Sequence, residues 1–357
     1  MAIASQTGEW SICLLGASTL QGKEVKAVLE ESHAPIKRLL LLDAEDWQGS
    51  LTEFDGEPAV VQAAAADAFE GIGLAMFASD AALTQQHWRQ AQAAGCRIID
   101  LSYGLEAEPG ACIAAPLLED RDPDMGTPWR SPAVLYIAAH PMALALAGIL
   151  NRISRRSPIV RAAATLFEPA SERGQPGVAE LHEQTVSLLS FHEIPRTVFD
   201  AQVSFNLLAC NGPEARPTLR EIQERIARHT AALLRPGVSQ PSMRLVQAPV
   251  FHGYSFSCWL ELAEPLEPPE IAAAMQGEPF TVCPPGDSPS AVSTAGSNTI
   301  ALAGIDRDAA RPAGYWLWGA FDNLRLAARN AVCIAGRAMQ ASPSEGLRPP
   351  RSAAVQP

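Results

Sequence analysis

Between Trp10 and Ser102 the chain alternates apolar runs of strand length with segments of helical periodicity, and this alternation restricts the fold more than any other feature. WSICLLGA (10–17) reads as a buried strand ending in a glycine turn, GKEVKAVLEE (22–31) as a helix and IKRLLLLDA (36–44) as a second strand. VVQAAAADAFEGIGLAMFAS (60–79) reads as a strand, a short helix and another strand, LAMFAS (74–79). AALTQQHWRQAQAAG (81–95) is helical and RIIDLS (97–102) a strand. Strands and helices in strict turn predict an α/β fold with a doubly wound parallel sheet.

The pattern changes at YIAAHPMALALAGIL (136–150), where an apolar strand, 134–138, meets a turn at His140-Pro141 and a helix over 142–153. VRAAATLFEP (160–169) reads as a strand, and GVAELHEQTVSLLS (177–190) and TLREIQERIARHTAALL (218–234) as helices. MRLVQAPVF and GYSFSCWLELA look like long antiparallel strands, and NTIALAGID and YWLWGAFD add two more. An α+β domain with a mostly antiparallel sheet follows, apolar enough to pair with a second copy. The final helix, 321–339, carries an apolar stripe through Leu324, Ala328, Val332 and Ala335. ASPSEGLRPPRSAAVQP is rich in Pro and Ser and predicts a disordered tail. The expected units are 1–138, 139–319, a helix at 320–340 returning to the first unit, and a tail at 341–357.

The 357 residues suffice for two cores, and a 47% hydrophobic, 18% charged composition is that of a globular chain. A net charge of -12 with no basic run argues against nucleic acid and anionic membranes as partners. The seven cysteines lie far apart with no Cys-x-x-Cys pair, so neither a zinc site nor a disulfide framework is indicated, and reduced core thiols in a cytoplasm are expected. Cys210, after FNLLA, is expected to be buried. The N-terminus shows no targeting signal, and ALALAGIL is far below the ~20 residues of a membrane span.

LLGASTLQGKEV resembles a dinucleotide-binding turn. Gly16 and Gly22 are its outer glycines, letting backbone approach a pyrophosphate at a helix N-terminus that includes Ser18, Leu20 and Gln21. The middle position is Thr19, which narrows the approach but adds a hydroxyl donor. Asp43 ends the second strand where an acidic side chain meets a ribose 2′-hydroxyl, favouring NAD over NADP. The other reading is a domain of the same shape whose loop has drifted and binds no cofactor.

Five blocks, in order, resemble the aspartate-semialdehyde dehydrogenase family: GASTLQG, GCRIIDLSYGLE, YIAAHPMAL, APVFHGYSFSCWLEL and FDNLRLAARNAVCIAG. The resemblance spans nearly the whole chain. It implies a Rossmann-type NADP domain, a catalytic and dimerisation domain, a homodimer, and a C-terminal helix returning to the first domain. Family chemistry uses a cysteine nucleophile, a histidine that moves protons, and arginines that hold substrate carboxylate and phosphate. On this alignment the nucleophile position is Ala143 and the base position Tyr254. The carboxylate arginine falls on Gln247 and the phosphate-side arginine on Glu106. The family glutamine after the corner falls near Phe167, and a further strand arginine near Gly304. A methyl group forms no thioester, and a tyrosine of pKa about 10 is a poor base at neutral pH. Glu106 reverses the sign of a charge facing an anion, and one charge at ~4 Å is worth roughly 4 kcal/mol at an effective dielectric of about 20. The pattern is similar to the Usg-like branch, which lacks the cysteine.

His140, His252, Tyr254 and Cys258 are the candidate replacement groups near the cleft. His140 reads better as a capping or packing residue, and no metal site is expected. His252 and Cys258 could share a strand face, but stand too far apart for a common ligand. Arg220, Arg225 and Arg228 read as a solvated face, with one of them within reach of the cleft, and SERGQPG (171–177) as a plain loop or an anion-binding one. Two functions remain open: a catalytically inactive homologue that keeps dimerisation and NAD or NADP binding, or an active NAD(P)-dependent aldehyde oxidoreductase with a rebuilt site. A small-molecule ligand fits either.

Overall fold

The computed structural model describes residues 9–65, 67–119 and 133–340, so the expected tail lies outside the described residues. β1 (Trp10–Leu15), α1 (Leu20–Ser32) and β2 (Ile36–Asp43) begin the chain. A hairpin of β3 (Leu51–Phe54) and β4 (Glu57–Val60) turns at Asp55 and Gly56, both at positive φ. There follow β5 (Gln62–Ala63), β6 (Leu74–Phe77), α2 (Ala81–Ala93), β7 (Arg97–Asp100) and β8 (Ala111–Ala114). The single turn α3 (Pro116–Glu119) and β9 (Leu135–Ala138) complete the first half. Its 7-stranded sheet has the order β5-β2-β1-β6-β7-β9-β8, parallel throughout. The short helix expected within 60–79 is replaced by turns: the amides of Ala68, Glu70 and Ile72 each bond a carbonyl three residues back, and Gly71 ends the run at positive φ.

The second half starts with α4 (Pro141–Ser154) and β10 (Ile159–Glu168), then α5 (Gly174–Leu189), α6 (Leu219–Leu233) and β11 (Ser242–Gln247). β12 (Tyr254–Leu262), α7 (Pro268–Ala274), β13 (Phe280–Val282), β14 (Ile300–Arg307), β15 (Gly314–Phe321) and α8 (Asn323–Gln340) finish it. The 6-stranded sheet runs β11-β10-β12-β15-β14-β13. β10–β12, β12–β15 and β14–β15 are antiparallel. β11, expected to be antiparallel, pairs with β10 in parallel, because two helices lie between them and supply the crossover a parallel pair requires.

Burial alternates residue by residue along β12, as a sheet with one covered face demands. Phe256, Cys258 and Leu260 pack with α4, α6 and α7 residues in the larger core. The opposite face carries Trp316, 46% exposed, together with half-buried Trp259, Trp318 and Phe167. In the first sheet Ile12 and Leu14 face α1 and α8, while Cys13 and Leu15 face α2. Ala328, Ala331, Val332 and Ala335 of α8 are buried in that first core, and Leu326 in the second. The Arg325 guanidinium, on α8, bonds Glu24 at 2.9 Å and Glu31, both on α1.

β1 lies where the strand order reverses, with β2 on one side and β6 on the other, the crevice at which open α/β sheets bind ligands. Gly16 fills it at φ +87°, where a Cβ would come within 2.4 Å of the Ser79 nitrogen. A Cβ on Gly22 would lie 1.9 Å from the Gly16 carbonyl oxygen. Both glycines are therefore required by packing alone. Gly22→Ala should destabilise by about 1–3 kcal/mol, the usual cost of overpacking, in urea unfolding. Gly73→Ala, whose added methyl meets nothing closer than 3.6 Å, should stay within about 1 kcal/mol, the cost of glycine relative to alanine acting in its favour.

Candidate functional site

The turn after β1 is closed by its own side chains. Thr19 caps α1, its hydroxyl accepting from Gly22 N–H at 2.9 Å and lying 2.9 Å from the carbonyls of Gly16 and Ala78. The hydroxyl expected to face a phosphate is thus engaged internally. Asp43, 4% exposed, accepts from Ser18 N–H at 2.7 Å and from Ala44 N–H at 2.9 Å, so its carboxylate fixes the turn. Gln21 donates its side-chain amide to the Leu324 carbonyl on α8. Ser18, Thr19 and Gly22 amides have acceptors. Those of Leu20 and Gln21, in the first turn of α1, have none among the described residues.

At the corner between β9 and α4, Ala143 is 0% exposed and belongs to the second core. His140 caps α4: its Nδ1 accepts from Met142 N–H at 3.1 Å. Accepting at Nδ1 makes Nε2 the donor of a neutral ring, and Nε2 lies 2.9 Å from Glu172 Oε1. The His140 backbone N–H donates to Nδ1 of His229, on α6, at 2.9 Å. By the same logic His229 Nε2 donates, and it reaches Glu106 Oε1 at 2.7 Å. The tautomer of each ring is set by a backbone amide, and neither ring retains a free nitrogen.

Glu106 belongs to the loop after β7 and meets three side chains of α6. Arg225 Nε approaches it at 3.1 Å and an Arg228 terminal nitrogen at 3.0 Å. Burial pushes the Glu106 carboxyl up, but the His229 hydrogen bond and the two arginines outweigh it and hold the group at about 2. Burial lowers His229, Glu106 only partly opposing. Arg225 lies over the Tyr103 ring, 4.6 Å from its centroid, and that ring also stacks on His140. The repulsion toward an anion expected of Glu106 is therefore cancelled locally. Arg225 leaves the solvated face, Arg228 stays largely exposed while reaching Glu106, and Arg220 remains in solvent, paired with Glu224.

Beyond His140 lies a more deeply buried group. The Tyr254 ring packs edge-on to His140, 5.9 Å between centroids, and stacks on Phe321. Its hydroxyl feels the charge of nearby Glu172 and has no hydrogen-bond partner at strict geometry among the described residues. Burial first, then Glu172 and Glu168, raise it well above the ordinary phenol range. Glu172 itself is lowered: burial raises it, and His140 and Arg225 more than compensate. Glu168, 0% exposed, stands 3.6 Å from Arg173 Nε. Burial raises its carboxyl far above the usual range, with Arg173 only partly opposing. Gln247, aligned with Glu168 in the sheet, donates to the Glu168 backbone carbonyl at 3.0 Å. Both Glu168 oxygens, the Arg173 guanidinium nitrogens and Gln247 Oε1 have no hydrogen-bond partner among the described residues, an arrangement that a water or a small polar ligand would satisfy.

Tyr254, Gln247 and the corner carrying Ala143 thus gather beside one polar cluster, with Glu106 at its outer end. The alignment point near Phe167 resolves into two faces, since Phe167 packs on Trp318 at 6.0 Å and the next residue, Glu168, turns inward. Gly304 lies on β14 beside Asp306 and Trp318. β12 begins only at Tyr254, so His252 precedes the strand whose core face holds Cys258. Cys210 is exposed, contrary to expectation, because Phe205 and Leu207 of its loop are themselves 68% and 59% exposed. Cys13, Cys96 and Cys258 are buried, and burial pushes the latter two thiols up to about 11 and 12, away from thiolate character. Residues 171–173 turn inward: Ser171 bonds Asn323, Glu172 meets His140 and Arg173 meets Glu168. Tyr103, Glu172, Arg173 and His229 were missed from sequence. A readable signal existed for His229, because Arg225, Arg228 and His229 fall at i, i+3 and i+4 on one helix face.

Residues 11–125 match the NAD binding domain of semialdehyde dehydrogenase, and residues 150–326 its dimerisation domain. A USG-1 protein homolog of Azotobacter vinelandii is 30% identical over 332 residues, covering 91% of this chain and 96% of that protein. An aspartate-semialdehyde dehydrogenase of Prochlorococcus marinus is 26% identical over 337 residues, covering 91% and 94%. The solved structure of a probable aspartate-semialdehyde dehydrogenase from Pseudomonas aeruginosa has a TM-score of 0.83 at 27% identity, covering 93% of this chain and 99% of that one. Among the described residues no helix is long and apolar enough to cross a membrane. By fold, by both domain patterns and by near full-length similarity, this chain belongs to the aspartate-semialdehyde dehydrogenase family and resembles its USG-1 homologues.

Proposed function

We propose that this chain is a catalytically inactive family member, a cytoplasmic homodimer that keeps a dinucleotide seat and acts by binding. Its units on this reading are 1–138, 139–319 and 320–340. The observation that carries the reading is the state of the corner. Residue 143 is a fully buried methyl group, and the two imidazoles beside it have both ring nitrogens engaged. Covalent aldehyde oxidation needs a nucleophile and a group free to take its proton. Tyr254, raised in pKa and lacking a hydrogen-bond partner, replaces neither.

Dinucleotide binding draws support from the α1 N-terminus. The free amides of Leu20 and Gln21, with the partial positive charge of the helix end, suit a diphosphate. Bound there, NAD or NADP would offer its nicotinamide for hydride transfer. Asp43 would stand near the adenosine ribose, where its charge opposes a 2′-phosphate. The half-buried tryptophan face of the second sheet suits a partner copy.

A second reading, an active NAD(P)-dependent aldehyde oxidoreductase, aspartate-semialdehyde dehydrogenase included, draws on the unpartnered atoms of Glu168, Arg173, Gln247 and Tyr254. A small polar ligand would satisfy them, in either reading.

With aspartate semialdehyde, phosphate and NAD or NADP, the purified chain should show no turnover above background, and Ala143→Cys alone should not create it for want of a base. Saturable turnover by the unaltered chain would establish the second reading instead. In thermal unfolding, millimolar NAD should raise the midpoint more than NADP does, as ligand linkage requires. A flat response to both would show that the turn has lost its ligand.

A further inference from the structure

Three donors converge on one carboxylate, and two of them are held by something other than that carboxylate. His229 Nε2 carries its hydrogen because the His140 backbone N–H occupies Nδ1. Arg225 lies on the Tyr103 ring. Arg228 is one helical turn from Arg225 on α6. The opposing loop is equally preset. Buried Asp100 accepts from Ser102 N–H and hydroxyl and from Leu105 N–H, at 2.6 to 2.9 Å, and so aims Glu106 at α6. Two guanidinium groups beside a ring N–H, with His229 only 1% exposed, form a seat suited to an oxyanion.

We propose that Glu106 is a built-in anion: it occupies an oxyanion seat formed by Arg225, Arg228 and His229, keeps free phosphate out, and fastens the first half of the chain to α6 without a ligand. The seat's chemistry fits a phosphate-type dianion, matched to two guanidinium charges. Because Arg225 and His229 are fixed by Tyr103 and His140, the core of the seat outlasts loss of the Glu106 side chain, while exposed Arg228 is free to follow an incoming anion. The proposal rests on side chains distinct from residue 143, and its test involves no turnover, so its failure leaves the inactive-member reading standing.

The test compares the full-length wild type with Glu106→Ala and Glu106→Gln, titrating inorganic phosphate against chloride at matched ionic strength. Calorimetry reads binding, and hydrogen exchange reads residues 101–106 and the α4 corner. Glu106→Ala should bind phosphate about tenfold or more tightly than wild type, as removing one like charge from a charge-assisted site allows. Its exchange should quicken without phosphate and return toward wild type with it. Adding Arg225→Gln to Glu106→Ala should abolish the gain. Should Glu106→Ala aggregate, Glu106→Gln, which keeps the shape and an acceptor, should show the same gain in smaller measure. Wild type binding phosphate as tightly as the variants, or a gain that survives Arg225→Gln, would overturn the proposal.

Discussion

A neutral imidazole offers one donor and one acceptor, and the arrangement around the α4 corner follows from using both on each of two rings. His140 takes the Met142 amide and gives to Glu172; its own amide goes to His229, which gives to Glu106. The chain of bonds links a helix N-terminus, a second helix and a loop from the first sheet. Every member is partly or wholly buried, so breaking one bond leaves a polar group without water to replace its partner. The same bonds that make the region rigid remove the free nitrogen that proton transfer requires. Rigidity and loss of acid–base capacity here have one cause.

The turn after β1 shows a comparable double use. Gly16 and Gly22 allow approach to a phosphate, yet both are dictated by close packing within the turn. Asp43 stands where a ribose would be met, yet it holds Ser18 and Ala44. A glycine pattern by itself therefore says little about a ligand. The amides left over, those of Leu20 and Gln21, are the more telling residue of the accounting.

The parallel sheet was legible because its strands are continuous apolar runs, such as Ile12 to Leu15 between layers on both faces. The alternation of Tyr254 to Leu262 was legible for the opposite reason, one covered face. The direction of β11 was not, because pairing partners far apart in sequence leave no local trace. The β3–β4 hairpin was overlooked although Asp55-Gly56 is a strong turn signal. At the site, Ala143, Gln247 and Tyr254 fall beside one polar cluster, and the partners of Glu106 on α6 could not be read from its charge sign alone. Its neutralisation by α6 depends on a contact 119 residues distant in the chain. Cys210 was misjudged because an apolar run was equated with a core, whereas its loop leaves Phe205 and Leu207 in solvent.

The position of α8 has a consequence for how the polypeptide is made. The last described helix supplies Ala328, Ala331, Val332 and Ala335 to the first core, and its Arg325 ties down α1. A nascent chain emerging from the ribosome can assemble its early strands and α1, but that side of the sheet stays only partly covered until α8 has been synthesised. Sequential, N-terminus-first folding is thereby denied to the opening half, whose completion waits on a helix translated after the whole second sheet.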